Sequence, residues 1–517
     1  MIQSQVDVNN VILKPMFIDK TNLVDDSSAD ITEGSSSLSP DFNSTAFNNI
    51  LKDYDVVDDD TILHYSEELL NELNESLQLN SSLSMLPNFN INPTGKEHGN
   101  YLIIDLGGST LRISIIEIQP ESSNINRSER INIIIENKWI MANNEKTIDD
   151  EFFKFIGSKM IETINQQSNI SIDDTINVGI TWSFPLNQTS HNSGKINNVG
   201  KGWIISEEIY NQDLKDILEN SLLNNFNCKI NVKVIINDSL AVYAAGRFLS
   251  SDLKLAMVLG TGYNICCSLK TSKLHPLKSL NSDAILLNSE TSLFGSMLAP
   301  LSNEFDLEID DRFLKGKSFK AYMELDDNTK IFQPYEIMTS GRYLPELTRL
   351  SILKLMKNNE IFSDLLIHPT NKIFTVYDGF SSEILCVFSE NNSTLNEIKD
   401  QFIKEFGDDF KDITLHDLMK IQQLVNSIIK RASFIVTISI ISFIKLLIDH
   451  NNETFPNKKL TIGYVGSILV YFNRYRNMIL EMINDCDYIR NLGITVDLMS
   501  IDDSSIVGAA IGAAYYT

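Results

Sequence analysis

At 517 residues the chain is longer than one hydrophobic core supports, and its 43% hydrophobic content is ample for two domains. The excess of 68 acidic over 43 basic residues gives a formal charge of −25, which repels nucleic acid and anionic membranes and leaves small molecules or proteins as partners. Cys228, Cys266, Cys267, Cys386 and Cys486 have no metal-ligand spacing and read as reduced thiols of a cytoplasmic protein. The first residues lack a basic-then-apolar signal pattern, so the Asn-x-Ser/Thr matches are expected to be unused.

Residues 1–45 are rich in Asp, Asn and Ser and are expected to form a disordered leader. A helical period runs from Leu51 to Leu79, and residues 80–98 read as a Ser/Asn/Pro linker. Tyr101–Ile104 and Leu111–Ile118 then read as two strands of an apolar hairpin. Its tip is Asp105-Leu106-Gly107-Gly108-Ser109-Thr110-Leu111-Arg112, where the glycines are expected to take positive φ and to let backbone N–H groups approach an anion. Taken alone, such a hairpin is more often an ordinary tight turn.

The strand Val232–Ile236 ends in Asn237-Asp238. A strand end holds a carboxylate rigidly, although the pair in isolation reads equally as a strand-to-helix cap with Asp238 accepting from the helix beginning near Ser239. After the apolar run Leu255–Leu259, Gly260-Thr261-Gly262-Tyr263-Asn264 repeats the logic of strand, glycine turn and strand, and two such turns suit one nucleotide. The longest apolar run, Phe434–Ile444, is too short to span a bilayer and reads as the buried middle of a helix begun near Leu415. No repeat of 20–50 residues is evident, but the two strand–turn–strand elements hint at duplicated half-domains.

Over roughly residues 45–517, the order and number of these segments resemble the hexokinase family of the actin-like ATPase superfamily. The first hairpin is similar to that family's Leu-Asp-Leu-Gly-Gly-Thr-Asn-Leu-Arg loop, Thr181-Trp182-Ser183-Phe184-Pro185 with Gln188-Thr189-Ser190 to its Ser-Phe-Pro sugar segment, and Lys201-Gly202-Trp203 to its Thr-Lys-Gly-Phe segment. Asn237-Asp238 matches the pair with the catalytic aspartate, Asn264 the asparagine ending the second phosphate loop, and Glu290 and Glu336 the two sugar-binding glutamates. Gly463-Tyr464-Val465-Gly466-Ser467 resembles the adenosine-side loop, and Gly508-Ala509-Ala510 the last helix.

The resemblance implies an α/β, two-domain actin-like ATPase (RNase H-like) fold with an interdomain active-site cleft that closes over its substrates. The small domain would span 99–236 plus the C-terminal helix at about 501–517, and the large domain 237–500, with residues 46–98 packed on it. The implied ligands are MgATP and a small sugar, and the implied state is a monomer or weak homodimer without membrane or nucleic-acid partners.

A sugar hydroxyl is too weak an acid to attack unaided, so a carboxylate must take its proton, and Asp238 is assigned that role. Lys201 would bind sugar and offset charge near the transferred phosphoryl, its alternative being a solvated loop lysine. Ser183, Phe184, Asn237, Asn264, Glu290 and Glu336 would line the sugar. Gly107, Gly108, Ser109, Thr110, Arg112, Gly260, Thr261, Gly262, Gly466 and Ser467 would hold ATP, and Asp105 would orient Mg²⁺ through water. For Arg112 a structural salt bridge is the competing role.

Departures from the family pattern bear on substrate. Asn288-Ser289-Glu290-Thr291-Ser292-Leu293-Phe294-Gly295 stands where glucose-phosphorylating members carry Asn-Thr-Glu-Trp-Gly-Ala-Phe-Gly, Gly200 replaces a threonine, and Tyr263 replaces another. Loss of the Trp and Thr side chains should enlarge the pocket, and on this ground the chain is most similar to fungal N-acetylglucosamine kinases of the hexokinase fold. The expected reaction is ATP-dependent phosphorylation of N-acetylglucosamine at its 6-hydroxyl. Two alternatives stand beside it: a glucose or broad hexose kinase, and a catalytically weak sugar sensor, for which Val465 and Ser504-Ser505-Ile506-Val507 speak through their departure from the adenosine-side pattern.

Overall fold

The computed structural model describes residues 45–55, 59–122, 124–142, 145–166, 170–184, 186–197, 202–323, 331–390 and 393–517. The 1–45 leader falls outside them up to residue 44, as do Pro185, Gly200 and Lys201. The helical period at the start resolves into α1 (Thr45–Tyr54) and α2 (Asp59–Leu77). The stretch read as a linker holds a strand, β1 (Leu86–Phe89), despite its Pro87. Sequence patterning misses it because four half-buried residues show no alternation; its pairing partner lies some 200 residues downstream.

Glycines interrupt two apolar runs and the chain folds back as β2 (Gly99–Leu106) and β3 (Thr110–Ile118), antiparallel with Asp105 opposite Arg112. β4 (Ile131–Ile140) continues the antiparallel run, while β5 (Ile176–Trp182) and β6 (Ile230–Ile236) add on the other side, both parallel to β2. The order is thus β6-β5-β2-β3-β4. A second sheet repeats the plan: β7 (Leu253–Leu259), β8 (Tyr263–Lys270) and β9 (Ala284–Asn288) are antiparallel, and β10 (Lys459–Val465) and β11 (Thr495–Ser500) join parallel to β7. β1 extends its far edge, Leu86 pairing with Asn288. The same three-antiparallel, two-parallel topology in both sheets bears out the duplication hinted at by the two glycine turns.

Helices cover these sheets in layers. α3 (Asp150–Ile164) and α4 (Leu214–Phe226) pack Phe152, Phe153, Ile156, Leu214 and Leu218 on the outer face of the first sheet. Its inner face meets α8 (Ser504–Tyr515), and the second sheet meets α5 (Asp238–Leu249); the two helices share one core, with Ile103, Val234, Ala256 and Cys266 supplied by the sheets. That approach needs small residues, because a Cβ on Gly508 would overlap the carbonyl of Ala241. α7 (Leu415–Asn451) covers the far face of the second sheet with α6 (Pro334–Thr339) nearby. It starts at Leu415 because Thr414 caps it, accepting from the Asp417 N–H. Among the described residues it is the one helix long and apolar enough to cross a membrane, yet its most apolar window is 83% buried inside the fold. All five cysteines are free thiols, and Cys266 and Cys267 are buried in β8.

Candidate functional site

The register brings the first group of residues together. Asp105 on β2 lies level with Thr181 on β5, and Thr181 with Ile236 on β6, so Asp105, Ser183 and Asn237-Asp238 all sit at the carboxyl ends of parallel strands. That is where open α/β sheets bind ligands. The Ser183 N–H donates to the Leu106 carbonyl, tying the sugar segment to the phosphate hairpin. Phe184 is buried, its ring edge-on to Trp182 and Trp203.

Asn237 rather than Asp238 is the cap of α5: both side chains accept from the Ser239 N–H at 2.9 Å, but the helix begins at Asp238. Asp238 is thereby the first residue of a helix whose end carries positive potential, pinned and half-buried. Asp105 is buried, which pushes its carboxyl up; Arg112 opposes this, and the negative charge of Asp238 adds to it. The two acids therefore sense each other across the site.

A hydrogen-bond chain carries the site from α5 into the second sheet. The Ser239 hydroxyl donates to Asn237 Oδ1 and, at 3.3 Å, to Asn288 Oδ1; Asn264 Nδ2 donates to Asn288 Oδ1 at 2.6 Å; Asn288 Nδ2 donates to Glu290 Oε1 at 2.8 Å. Asn237, Asn264 and Glu290 are thus brought together. Glu290 holds a left-handed backbone, φ 54°, costly for a residue with a Cβ and frequent at functional sites. Glu336 reaches the same place from α6, accepting from the Tyr263 N–H; burial pushes its carboxyl up to about 7, and the Glu290 charge contributes.

The second glycine turn is built for close approach. A Cβ on Gly262 would stand 2.8 Å from Glu336 Oε2, and the Gly260 carbonyl accepts from the Gly341 N–H at 2.7 Å. Gly466 lies against Gly260 with φ +116°, so the β10 end and the β7–β8 turn form one surface, with Ser467 opening a short helix and Thr261 exposed. The expectation of positive φ at the first phosphate turn is corrected: Gly107 and Gly108 are absent from the left-handed residues, as are Gly260 and Gly262 of the second turn. At Gly262 it is the missing Cβ that matters, whereas a Cβ on Gly107 would make only ordinary contact, 3.6 Å from the Thr110 carbonyl oxygen. The Gly107 N–H closes the first turn on the Thr110 carbonyl, and Ser109 at the tip is exposed.

Tyr263 turns away from the site. Its ring is buried against Tyr335 and its hydroxyl bonds Ser439 of α7, so the residue standing for the family threonine turns into the core. Thr291, in place of the tryptophan, is buried with its hydroxyl accepting from the Ile265 N–H. Lys201 lies outside the described residues. Sequence reasoning gave no role to Asn288, at the centre of the polar chain, or to Gln333, which donates to Ser292 at 3.1 Å and Glu336 at 3.4 Å. Asn288 stands two residues before Glu290 in a motif already singled out; Gln333 carries no signal short of its position before α6.

No cluster of three or more metal-binding side chains exists among the described residues. Asp105 fits Mg²⁺ in another way: both Arg112 contacts fall on its Oδ2, so Oδ1 is left as a hard oxygen for a cation that keeps water and takes its remaining ligands from nucleotide phosphates.

Two sheets of like topology, joined through a packed helix pair and bearing glycine turns and acids at their carboxyl ends, define an actin-like sugar-kinase architecture. Two solved hexokinases share the fold: that of Schistosoma mansoni complexed with glucose, with a TM-score of 0.67 at 21% identity over 91% of this chain and 98% of that one, and a second with a TM-score of 0.69 at 18% identity over 91% and 99%. Residues 46–248 and 254–515 match the two hexokinase family models, and the chain belongs to the hexokinase family. It is 49% identical over 456 residues to N-acetylglucosamine kinase 1 of Candida albicans, covering 87% of this chain and 90% of that one. Hexokinase-1 of Saccharomyces cerevisiae is 26% identical over 368 residues, 69% of this chain and 70% of its own.

Proposed function

We infer that the chain transfers the γ-phosphoryl group of MgATP to the 6-hydroxyl of N-acetylglucosamine. The observation that carries the reading is the placement of Asp238: fixed at the start of α5, joined through Ser239 and Asn288 to Asn264 and Glu290, and at the same carboxyl edge of the first sheet as Asp105 of the phosphate hairpin. The choice of sugar rests on the 49% identity to a protein named N-acetylglucosamine kinase and on the Thr291-Ser292 replacement in the sugar segment.

In this reading Asn237, Asn264, Glu290 and Glu336 hold the sugar hydroxyls, with Ser183 and Phe184 on the opposite wall. Asp238 takes the proton from O6 as the O6–P bond forms and the bond from the γ-phosphorus to the β-phosphate oxygen breaks, releasing ADP. Mg²⁺, when bound, neutralises charge on the phosphates. Asp105 would hold it through water, while the turns at 107–110 and 260–262 would present backbone donors to the phosphates and Gly466-Ser467 would face the nucleoside. Lys201 is assigned to the sugar and the transferred group from sequence alone. The lobes built on the two sheets, 99–236 with 501–517 and 237–500 with 46–98, close on the bound sugar, exclude water and limit wasteful hydrolysis.

A coupled ADP-release assay over N-acetylglucosamine, glucose, mannose and fructose tests this. The expected outcome is the highest kcat/KM for N-acetylglucosamine; a much higher value for glucose overturns the substrate, and no turnover with any sugar overturns the reaction.

A further inference from the structure

We propose that Trp203 is a positioning residue that locks the Gly108–Ser109 peptide of the phosphate hairpin into its nucleotide-binding orientation and ties it to the sugar-side wall; the inference rests on the sugar-kinase reading. Trp203 is 5% exposed, and its indole Nε1–H donates to the Gly108 carbonyl at 2.9 Å. Its ring stands edge-on to Phe184 of the sugar segment, centroids 5.7 Å apart, and to Phe152 of α3 at 5.2 Å. One side chain thus touches both the hairpin and the sugar-side wall. The family segment that Lys201-Gly202-Trp203 resembles ends in phenylalanine, whose ring carries no hydrogen-bond donor.

The physical consequence follows from peptide planarity. In a trans peptide the carbonyl of one residue and the N–H of the next point in opposite directions, so holding the Gly108 oxygen against Trp203 aims the Ser109 N–H away from it. Glycine offers little resistance to a flip of that plane, which makes the anchoring bond decisive at this position. Neither the Gly108 nor the Ser109 N–H makes an intramolecular hydrogen bond among the described residues, and Ser109 is exposed. The next plane is fixed likewise, the Met141 N–H donating to the Ser109 carbonyl at 2.9 Å. Both carbonyls are held by the protein while the N–H groups stay available for a polyphosphate.

Trp203→Phe keeps the ring and deletes the donor. KM for MgATP is expected to rise about 3- to 10-fold, the size of one hydrogen bond, with the sugar Kd measured by calorimetry without nucleotide unchanged within about twofold. A role in packing alone would instead lower Tm and leave KM for MgATP in place. Whether or not that variant folds, wild-type protein labelled with 5-fluorotryptophan gives a second reading. The Trp203 resonance, assigned by elimination with Trp139→Phe and Trp182→Phe, is expected to shift both with Mg·AMP-PNP and with sugar. An unchanged KM for MgATP in folded Trp203→Phe, or a resonance indifferent to saturating Mg·AMP-PNP, overturns the proposal. Absence of turnover with every sugar would sink the proposed reaction instead, and the nucleotide titration of that resonance would still decide the role of Trp203.

Discussion

Arg112 grips a single oxygen of Asp105: its Nε and Nη2 lie 2.8 and 2.6 Å from Oδ2 across the β2–β3 pair. The structural salt bridge weighed for Arg112 is therefore present, and it leaves Oδ1 outside that grip. Because burial and the Asp238 charge both push the Asp105 carboxyl up, the guanidinium is what opposes its protonation. Arg112→Met should raise that pKa further and shift the acid limb of the kcat profile to higher pH, with kcat down at least about tenfold at pH 7 and a higher Mg²⁺ concentration for half-maximal rate. A pH–rate profile at several Mg²⁺ concentrations checks this; an acid limb that does not move would show that Arg112 does not govern Asp105.

Asp238→Asn preserves shape and the contact to the Ser239 N–H while removing the proton acceptor. Turnover should fall by about 10²–10⁴, the range for a positioned general base, with the sugar Kd within a few-fold of wild type. Asn288→Ala attacks the same chemistry indirectly by cutting the link from Ser239 to Asn264 and Glu290. There the sugar KM should rise more than kcat falls. Retained turnover in Asp238→Asn would remove Asp238 from its role.

Much of this architecture is legible in the chain because local signals coincide with global need. The 99–118 hairpin, the Asn237-Asp238 strand end and the helix from Leu415 each combine an apolar run with a glycine, a cap or a hydroxyl at its boundary. β1 is illegible because its stability is borrowed from pairing with β9, which no local pattern encodes. The turn glycines mislead on mechanism, since the sequence reveals that a Cβ is absent but not whether backbone angle or close contact requires it. Gly262 beside Glu336 answers in favour of contact. Tyr263 is equally opaque: the sequence marks only that it replaces a threonine, and it takes Tyr335 and Ser439 to show its side chain facing the core.

Glu72 of α2 links the N-terminal helices to the sugar segment. It is 8% exposed and accepts from the Gly295 N–H at 3.0 Å, the Ser296 N–H at 2.9 Å and the Ser296 hydroxyl. Glu72→Ala strands those donors in a buried site, a loss of about 2–4 kcal/mol that should lower Tm by several degrees. Because Gly295 and Ser296 follow directly on Glu290–Phe294, the sugar KM should rise in the same variant even at temperatures where it is fully folded. Thermal denaturation paired with steady-state kinetics separates the two effects, and an unchanged KM would confine Glu72 to stability.

Glu336 gives the clearest trade between stability and binding. Its folded pKa of about 7 lies above the ordinary 4.5, so the folded state binds the proton more tightly than the unfolded chain does. The favourable contribution is fully present below about pH 4.5 and is lost as pH rises through about 7, where the carboxylate must be charged in a mostly buried site beside Glu290. Glu336→Gln removes that penalty, and at pH 8 the variant should be more stable than wild type by about 1–3 kcal/mol, a gain that disappears near pH 5. Its sugar KM should nevertheless be at least about tenfold higher at pH 8, because an amide accepts a sugar O–H more weakly than a carboxylate does. Denaturant unfolding at the two pH values, set beside kinetics at pH 8, checks both halves. Equal stability of variant and wild type at pH 8 would show that the Glu336 carboxylate is charged there without penalty, its buried position offset by partners such as the Tyr263 N–H.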